Sequence, residues 1–104
     1  MNLRHLEAAA DDVVAGTERA ETRFGKGDVF NGDYRKVVAA IAANPRMYPR
    51  TEDGPDEPEN REFFMERFEY RVIYVVRDEE VVVVAVIHAR RRTGFWLHRL
   101  DELD

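Results

Sequence analysis

Apolar positions recur with two different periods along this 104-residue chain. From Leu3 to Phe24 the residues Leu3, Leu6, Ala10, Val13, Thr17, Ala20 and Phe24 fall three or four apart, the stripe of an amphipathic helix. Glu7, Asp11, Asp12, Glu18, Arg19 and Glu21 lie off that stripe, and Gly25-Lys26-Gly27-Asp28 stops it. A second helix is predicted next, with Asp28 or Asn31 as N-cap and Phe30, Tyr34, Val37, Val38 and Ile41 on one face. It ends at Asn44-Pro45, because the residue before proline is pushed out of the α region. Residues 1–44 therefore read as a helical hairpin.

The period then changes. Tyr70–Val76 and Val81–Ile87 are two β-branched runs separated by Arg77-Asp78-Glu79-Glu80, which reads as a β-hairpin. Both runs are apolar on both faces, so something must cover each side of the sheet. Arg61–Arg67 reads as a short strand entering this hairpin, giving an antiparallel sheet over 61–92 and a tail over 93–104. Between helices and sheet, residues 45–60 form a proline-rich loop with five acids among the eight residues Glu52–Glu59. This stretch reads as a mobile, solvated connector; the alternative is an acidic mask folded back over nearby arginines. The expected fold class is α+β, a single domain with an N-terminal helical hairpin on a three- to four-stranded antiparallel sheet.

Charge and composition narrow the chemistry. The net charge of −5 argues against generic nucleic-acid binding, but residues 61–100 carry 8 arginines against 6 acids while the tail 101–104 adds three acids. Without cysteine there is no disulfide or thiolate chemistry, and His5, His88 and His98 lack ligand spacing, so neither metal nor cofactor is expected. No apolar run approaches the ~20 residues of a membrane span, and the N-terminus lacks a signal sequence, which makes the cytoplasm the expected compartment.

The basic residues fall where two strands of a hairpin meet. Arg71 begins one strand and His88, Arg90, Arg91 and Arg92 follow the other, so antiparallel pairing is expected to bring Arg71 and Arg91 to one sheet edge. Guanidinium groups on a rigid sheet suit phosphates, and Phe95 and Trp96 just beyond suit a stacked base.

At these residues the chain resembles the RelE/ParE superfamily of type II toxins. The shared pattern is Tyr70-Arg71-x-x-Tyr74, an acidic turn, a valine strand, then His88-x-Arg90-Arg91 and a late aromatic pair. The resemblance implies a plasmid-stabilisation-type toxin held silent by a cognate antitoxin in a hetero-oligomer. It implies growth arrest by RelE-like, ribosome-dependent, metal-independent mRNA cleavage through 2′-hydroxyl attack. In that reading Arg71 and Arg91 are the catalytic phosphate ligands, His88 or Glu66 is the acid or base, and Arg67, Arg90, Arg92 and Trp96 hold RNA.

The chain also departs from the nuclease pattern. Glu62 and Phe64 stand where nuclease members carry lysines, and Leu97 stands where they carry a tyrosine. The His88-x-Arg90 ending resembles instead the ParE branch, which inhibits DNA gyrase without chemistry. A degenerate toxin acting only as a partner-binding module is the third reading. Many members open with an extra strand; here only Met1-Asn2 precede the helical stripe, so that strand is expected to be absent or minimal.

Overall fold

A computed structural model describes residues 1–103. Its elements run β1 (Asn2–His5), α1 (Glu7–Phe24), α2 (Gly27–Ala43), a 3-10 turn (Pro45–Met47), β2 (Asn60–Met65), β3 (Tyr70–Arg77), β4 (Glu80–His88) and a 3-10 helix (Leu97–Glu102). The strands form one sheet in the order β1-β4-β3-β2, with β1 parallel to β4 and the other pairs antiparallel. The α+β class and the helical hairpin match the expectation, but the opening strand is present. The sheet is mixed, and the first helix begins at Glu7 rather than Leu3.

That difference has a simple cause. Leu3 and His5 point inward at a strand's spacing of two, but Leu3 also stands three residues before Leu6, which is a helical spacing, so the strand reads as the first turn of the helix. Within α1 the buried positions are Ala9, Gly16 and Ala20, whereas Ala10 and Phe24 are exposed. Gly25 ends α1 at φ 65°, a left-handed conformation that lets its own N–H and that of Lys26 reach back to the carbonyls of Glu21 and Ala20. On α2, Phe30, Tyr34, Val37 and Ile41 are buried as expected, but neither Asp28 nor Asn31 caps the helix. Its N-cap is Lys26, with no side-chain cap bond, because the compact Gly25 turn starts α2 earlier.

The two β-branched runs are the centre of the core. Val72 to Val75 and Val81 to Ala85 are fully buried. Tyr70, Val72 and Tyr74 lie on the face under the helices, since Phe30 of α2 meets the Tyr70 ring edge-on at 5.1 Å and Tyr74 donates a hydrogen bond to Pro45 O. Gly16 permits that packing, because a Cβ there would lie 2.6 Å from Phe30 Cζ. The alternate residues Arg71, Ile73 and Val75 lie on the opposite face. There the covering material is the 3-10 helix and its approach, in which Trp96 is fully buried. The hairpin turn is tighter than the four-residue break suggests: Arg77 pairs with Glu80, and Asp78 takes φ 51°, a conformation that Asp tolerates better than most residues.

Among the described residues, no helix is long and apolar enough to cross a membrane, and no group of three or more His, Cys, Asp or Glu is placed to hold a metal ion.

Candidate functional site

Arg71 is half-buried on the outer face of β3, and all three nitrogens of its guanidinium are engaged by two carboxylates. Nη1 and Nη2 donate to Asp53 Oδ2 and Oδ1 at 3.1 and 2.8 Å. Nε and Nη2 donate to Glu62 Oε1 at 3.2 and 2.7 Å. Glu62 reaches Arg71 because β2 pairs Phe64 with Arg71 and Glu62 with Ile73, leaving Glu62 diagonally adjacent on the same face. Asp53 arrives from the acidic loop.

That loop is anchored, contrary to the expectation of a mobile connector. Asp53 Oδ2 also accepts from the Gly94 N–H and the Trp96 indole N–H, both at 3.0 Å. The Asn60 amide donates to the carbonyls of Pro55 and Pro58, Thr51 hydrogen-bonds to Asn60, and Arg50 donates to Asp56 O. Arg46 and Arg61 both bind Glu59. Composition pointed to a solvated strip, whereas the backbone and side-chain polar groups here are satisfied within the loop and against β2. The loop lies over Arg71 as a mask.

The electrostatics follow from this geometry. Hydrogen bonds from Arg71 hold the Asp53 carboxyl well below the usual carboxylate range, against the opposing effect of its burial and with help from Gly94 and Trp96. The same bonds to Asp53 push Arg71 above the ordinary arginine value despite partial burial. One guanidinium facing two carboxylates leaves the cluster with a formal charge of −1. A phosphate approaching Arg71 meets Asp53 and Glu62 in its place.

The remaining candidates do not gather around Arg71. Tyr70 and Arg71 are neighbours on a strand and face opposite sides, and Arg91 lies on the Tyr70 side, in a cleft shared with Arg19, His88 and Phe95. Arg71 lines a different cleft with Arg50, Asp53, Glu62 and Thr93. The expected shared edge is therefore split: antiparallel pairing sets which residues are level, but side-chain alternation decides the face. Trp96 is fully buried with its N–H engaged by Asp53, so its ring is part of the core rather than an exposed stacking platform. Glu66 is exposed in a cleft with Asp33, Lys36 and Arg67, away from Arg71. Arg67 pairs with Asp33 at 3.1 Å.

His88 packs edge-on against Tyr70, with ring centroids 5.5 Å apart, and its Nδ1 accepts from the Arg90 N–H. Burial lowers its pKa; Glu69 opposes this, and Arg90, Arg19 and Arg23 reinforce it. Neutral His88 with an occupied Nδ1 is a packing and hydrogen-bonding residue beside a basic surface. Arg91 and Arg92 are exposed, with the Arg91 guanidinium 4.7 Å from the centroid of the Phe95 ring.

Five contributing residues escaped the sequence reading. Asp53 carries no signal that separates it from the other four acids of its loop. Arg19 and Arg23, four apart on α1, had such a signal in their shared face, but the stripe argument placed α1's polar side in solvent. Asp12 and Arg99, 87 residues apart, form a buried pair at 2.6 Å.

Comparison with known proteins places this architecture. The family model described as the ParE toxin of the type II toxin–antitoxin system parDE matches residues 4–93. No curated protein matches the chain. Among solved structures, the chain is similar to one titled a chromosomal ParDE TA system from P. aeruginosa, with a TM-score of 0.62, 16% identity, and coverage of 85% of this chain and 95% of that one. It is also similar to the isolated E. coli RelE toxin, with a TM-score of 0.61, 20% identity, and coverage of 98% of both chains. At these identities the structural likeness concerns the fold.

Proposed function

The chain belongs to the ParE toxin family of type II toxin–antitoxin systems, and from that premise we propose that it arrests growth by binding its target, DNA gyrase, rather than by cutting mRNA. The observation that carries this reading is the engagement of all three Arg71 nitrogens by carboxylates. A guanidinium stabilises a phosphorane-like transition state only if its donors are free to meet the developing charge, and here all the bonds to Arg71 run to Asp53 and Glu62. Among the described residues, the expected acid–base candidates do not serve the site either. Glu66 lies elsewhere, His88 is on the opposite face, and Glu62 is consumed by the ion pair.

Family membership implies a cognate antitoxin, and we take a toxin–antitoxin hetero-oligomer in the cytoplasm as the resting form. The experiment that tests the reading uses the purified chain in two assays run side by side. Plasmid supercoiling by DNA gyrase is expected to slow in proportion to added protein, while a translating extract keeps its messages intact. Cleaved messages with unimpaired supercoiling would overturn it and return the RelE-like nuclease to first place.

A further inference from the structure

Arginines in this protein divide into two populations. Arg46, Arg61, Arg67, Arg71 and Arg99 each meet a carboxylate within 4 Å. Arg19, Arg23, Arg35, Arg50, Arg90, Arg91 and Arg92 meet none among the described residues, and five of these seven, Arg19, Arg23, Arg90, Arg91 and Arg92, gather at one end of the molecule, where the second half of α1 passes the end of β4. Their proximity is registered by His88, which Arg90, Arg19 and Arg23 all disfavour in its charged form. A chain of net charge −5 thus keeps a block of unneutralised arginine at one place. Like charges four apart on a helix, as Arg19 and Arg23 are, cost stability, and an acidic protein has ample carboxylates with which to relieve it. It does not do so here.

The floor of this surface is apolar. A cleft of about 120 Å³ is lined by Arg19, Arg23, Arg67 and His88 at its rim and by the rings of Phe30 and Tyr70 beneath. Phe68 completes that floor, edge-on to Phe30 at 5.1 Å, and Phe24 stands 62% exposed at the lip. Glu69 is the one carboxylate lining it, and Arg67 is already paired with Asp33. We infer that this cleft between α1 and the end of β4 docks an acidic peptide segment of a partner protein, with one apolar side chain in the aromatic floor and flanking carboxylates on Arg19, Arg23 and Arg91.

Two features favour a peptide over a nucleic-acid strand. The cleft, floored by Phe30, Phe68 and Tyr70, offers one apolar side chain a place to bury beneath the arginine rim. The acidic remainder of the chain repels a long polyanion, whereas a short acidic segment feels chiefly the local arginines. The inference concerns a partner contact and is independent of which target the toxin inhibits.

The test is titration of the full ¹⁵N-labelled chain at low salt with three probes: the peptides acetyl-EEDFEE-amide and acetyl-EEDSEE-amide, and a thymidylate hexamer of similar charge. The phenylalanine peptide is expected to bind about tenfold more tightly than either of the others, shifting the amides of Gly16, Tyr70 and His88. R19E/R23E should abolish that binding, R19Q/R23Q should weaken it about tenfold, and K36E on α2 should leave it unchanged. Equal or tighter binding of the thymidylate would assign the surface to nucleic acid and overturn the proposal. Equal binding of the two peptides, or shifts lying away from the cleft in the unmutated chain, would overturn it as well.

Discussion

Asp53 and Arg71, 18 residues apart, meet through two parallel hydrogen bonds of 2.8 and 3.1 Å, and the same carboxylate accepts the indole N–H of Trp96. One side chain from an acidic loop thereby joins the sheet to the C-terminal segment. The Asp53 side chain is 7% exposed and that of Arg71 15%, so the pair works where water competes weakly.

Removing the charge of Asp53 should loosen three parts of the molecule together. D53N is expected to lower stability by about 2 kcal/mol, more than E62Q, because Glu62 serves Arg71 alone whereas Asp53 also satisfies Gly94 and Trp96. Urea unfolding measures the difference. Trp96 is the sole tryptophan, so its emission reports the loosening directly, and an unchanged spectrum would count against the linkage.

The same clamp should protect the acidic loop from proteases. Glu-directed cleavage within residues 52–59 is expected to be slow in the native chain and clearly faster in D53N, since local opening then no longer breaks the Arg71 pair. Equal rates for both proteins would mean that the loop opens independently of Asp53.

Stability should fall on acidification in two separate windows. His5 and His88 have pKa values lowered by burial, so below the ordinary value of 6.5 the unfolded chain binds protons that the folded chain refuses, and stability declines from there downward. The Asp53 carboxyl is depressed by Arg71, and in Glu59 the opposing effect of burial is outweighed by Arg61 with Arg46. Their contribution is complete above the ordinary carboxylate range and is lost as pH drops through it toward the folded values. Thermal melts from pH 8 to pH 2 should show both declines, and D53N should flatten the second one only.

Asp12 and Arg99 complete the edge of β4 beyond the reach of β1. Asp12 Oδ2 accepts from the Val86 N–H at 2.9 Å, and Arg99 donates to Val84 O at 3.0 Å, where β1 pairing has ended at Val83. D12A leaves the buried Arg99 guanidinium with no carboxylate and only the Val84 carbonyl to meet, and the Val86 N–H with no side-chain acceptor, and should cost about 3 kcal/mol, more than R99L, which removes the charge and fills space. A urea denaturation series of the two variants checks the order.

Replacing Arg71 by lysine should distinguish the two modes of toxicity. R71K keeps a cation between Asp53 and Glu62 but loses the planar fork a phosphate would need. Under the gyrase-binding reading, induced R71K is expected to arrest growth like the native chain. A loss of arrest in a variant that still folds would point to phosphate chemistry at Arg71.

Much of this architecture was legible in the pattern of residues. The two valine-rich runs, the apolar face Phe30, Tyr34, Val37 and Ile41 and the stop at Asn44-Pro45 are local signals, set by side-chain spacing and backbone sterics within a few residues. The opening strand was hidden because Leu3, three residues before Leu6, merges with the helical period that follows, and only the pairing of Leu3 and His5 with Val81 and Val83 makes a strand.

The site depended on contacts that no local pattern encodes. The residue types at Arg71 and Arg91 announce anion chemistry, but strand alternation and the chain's path after β4 put them on opposite sides of the sheet. Asp53 looks like any solvated acid until the loop returns across β3. Its carboxylate then meets a guanidinium and an indole that are 18 and 43 residues distant in the chain. Spacing determined the elements, since their geometry is set by neighbours along the backbone. Which arginine is neutralised and which stays open was decided only in three dimensions, because charge pairing acts through space and is settled by where packing leaves each side chain.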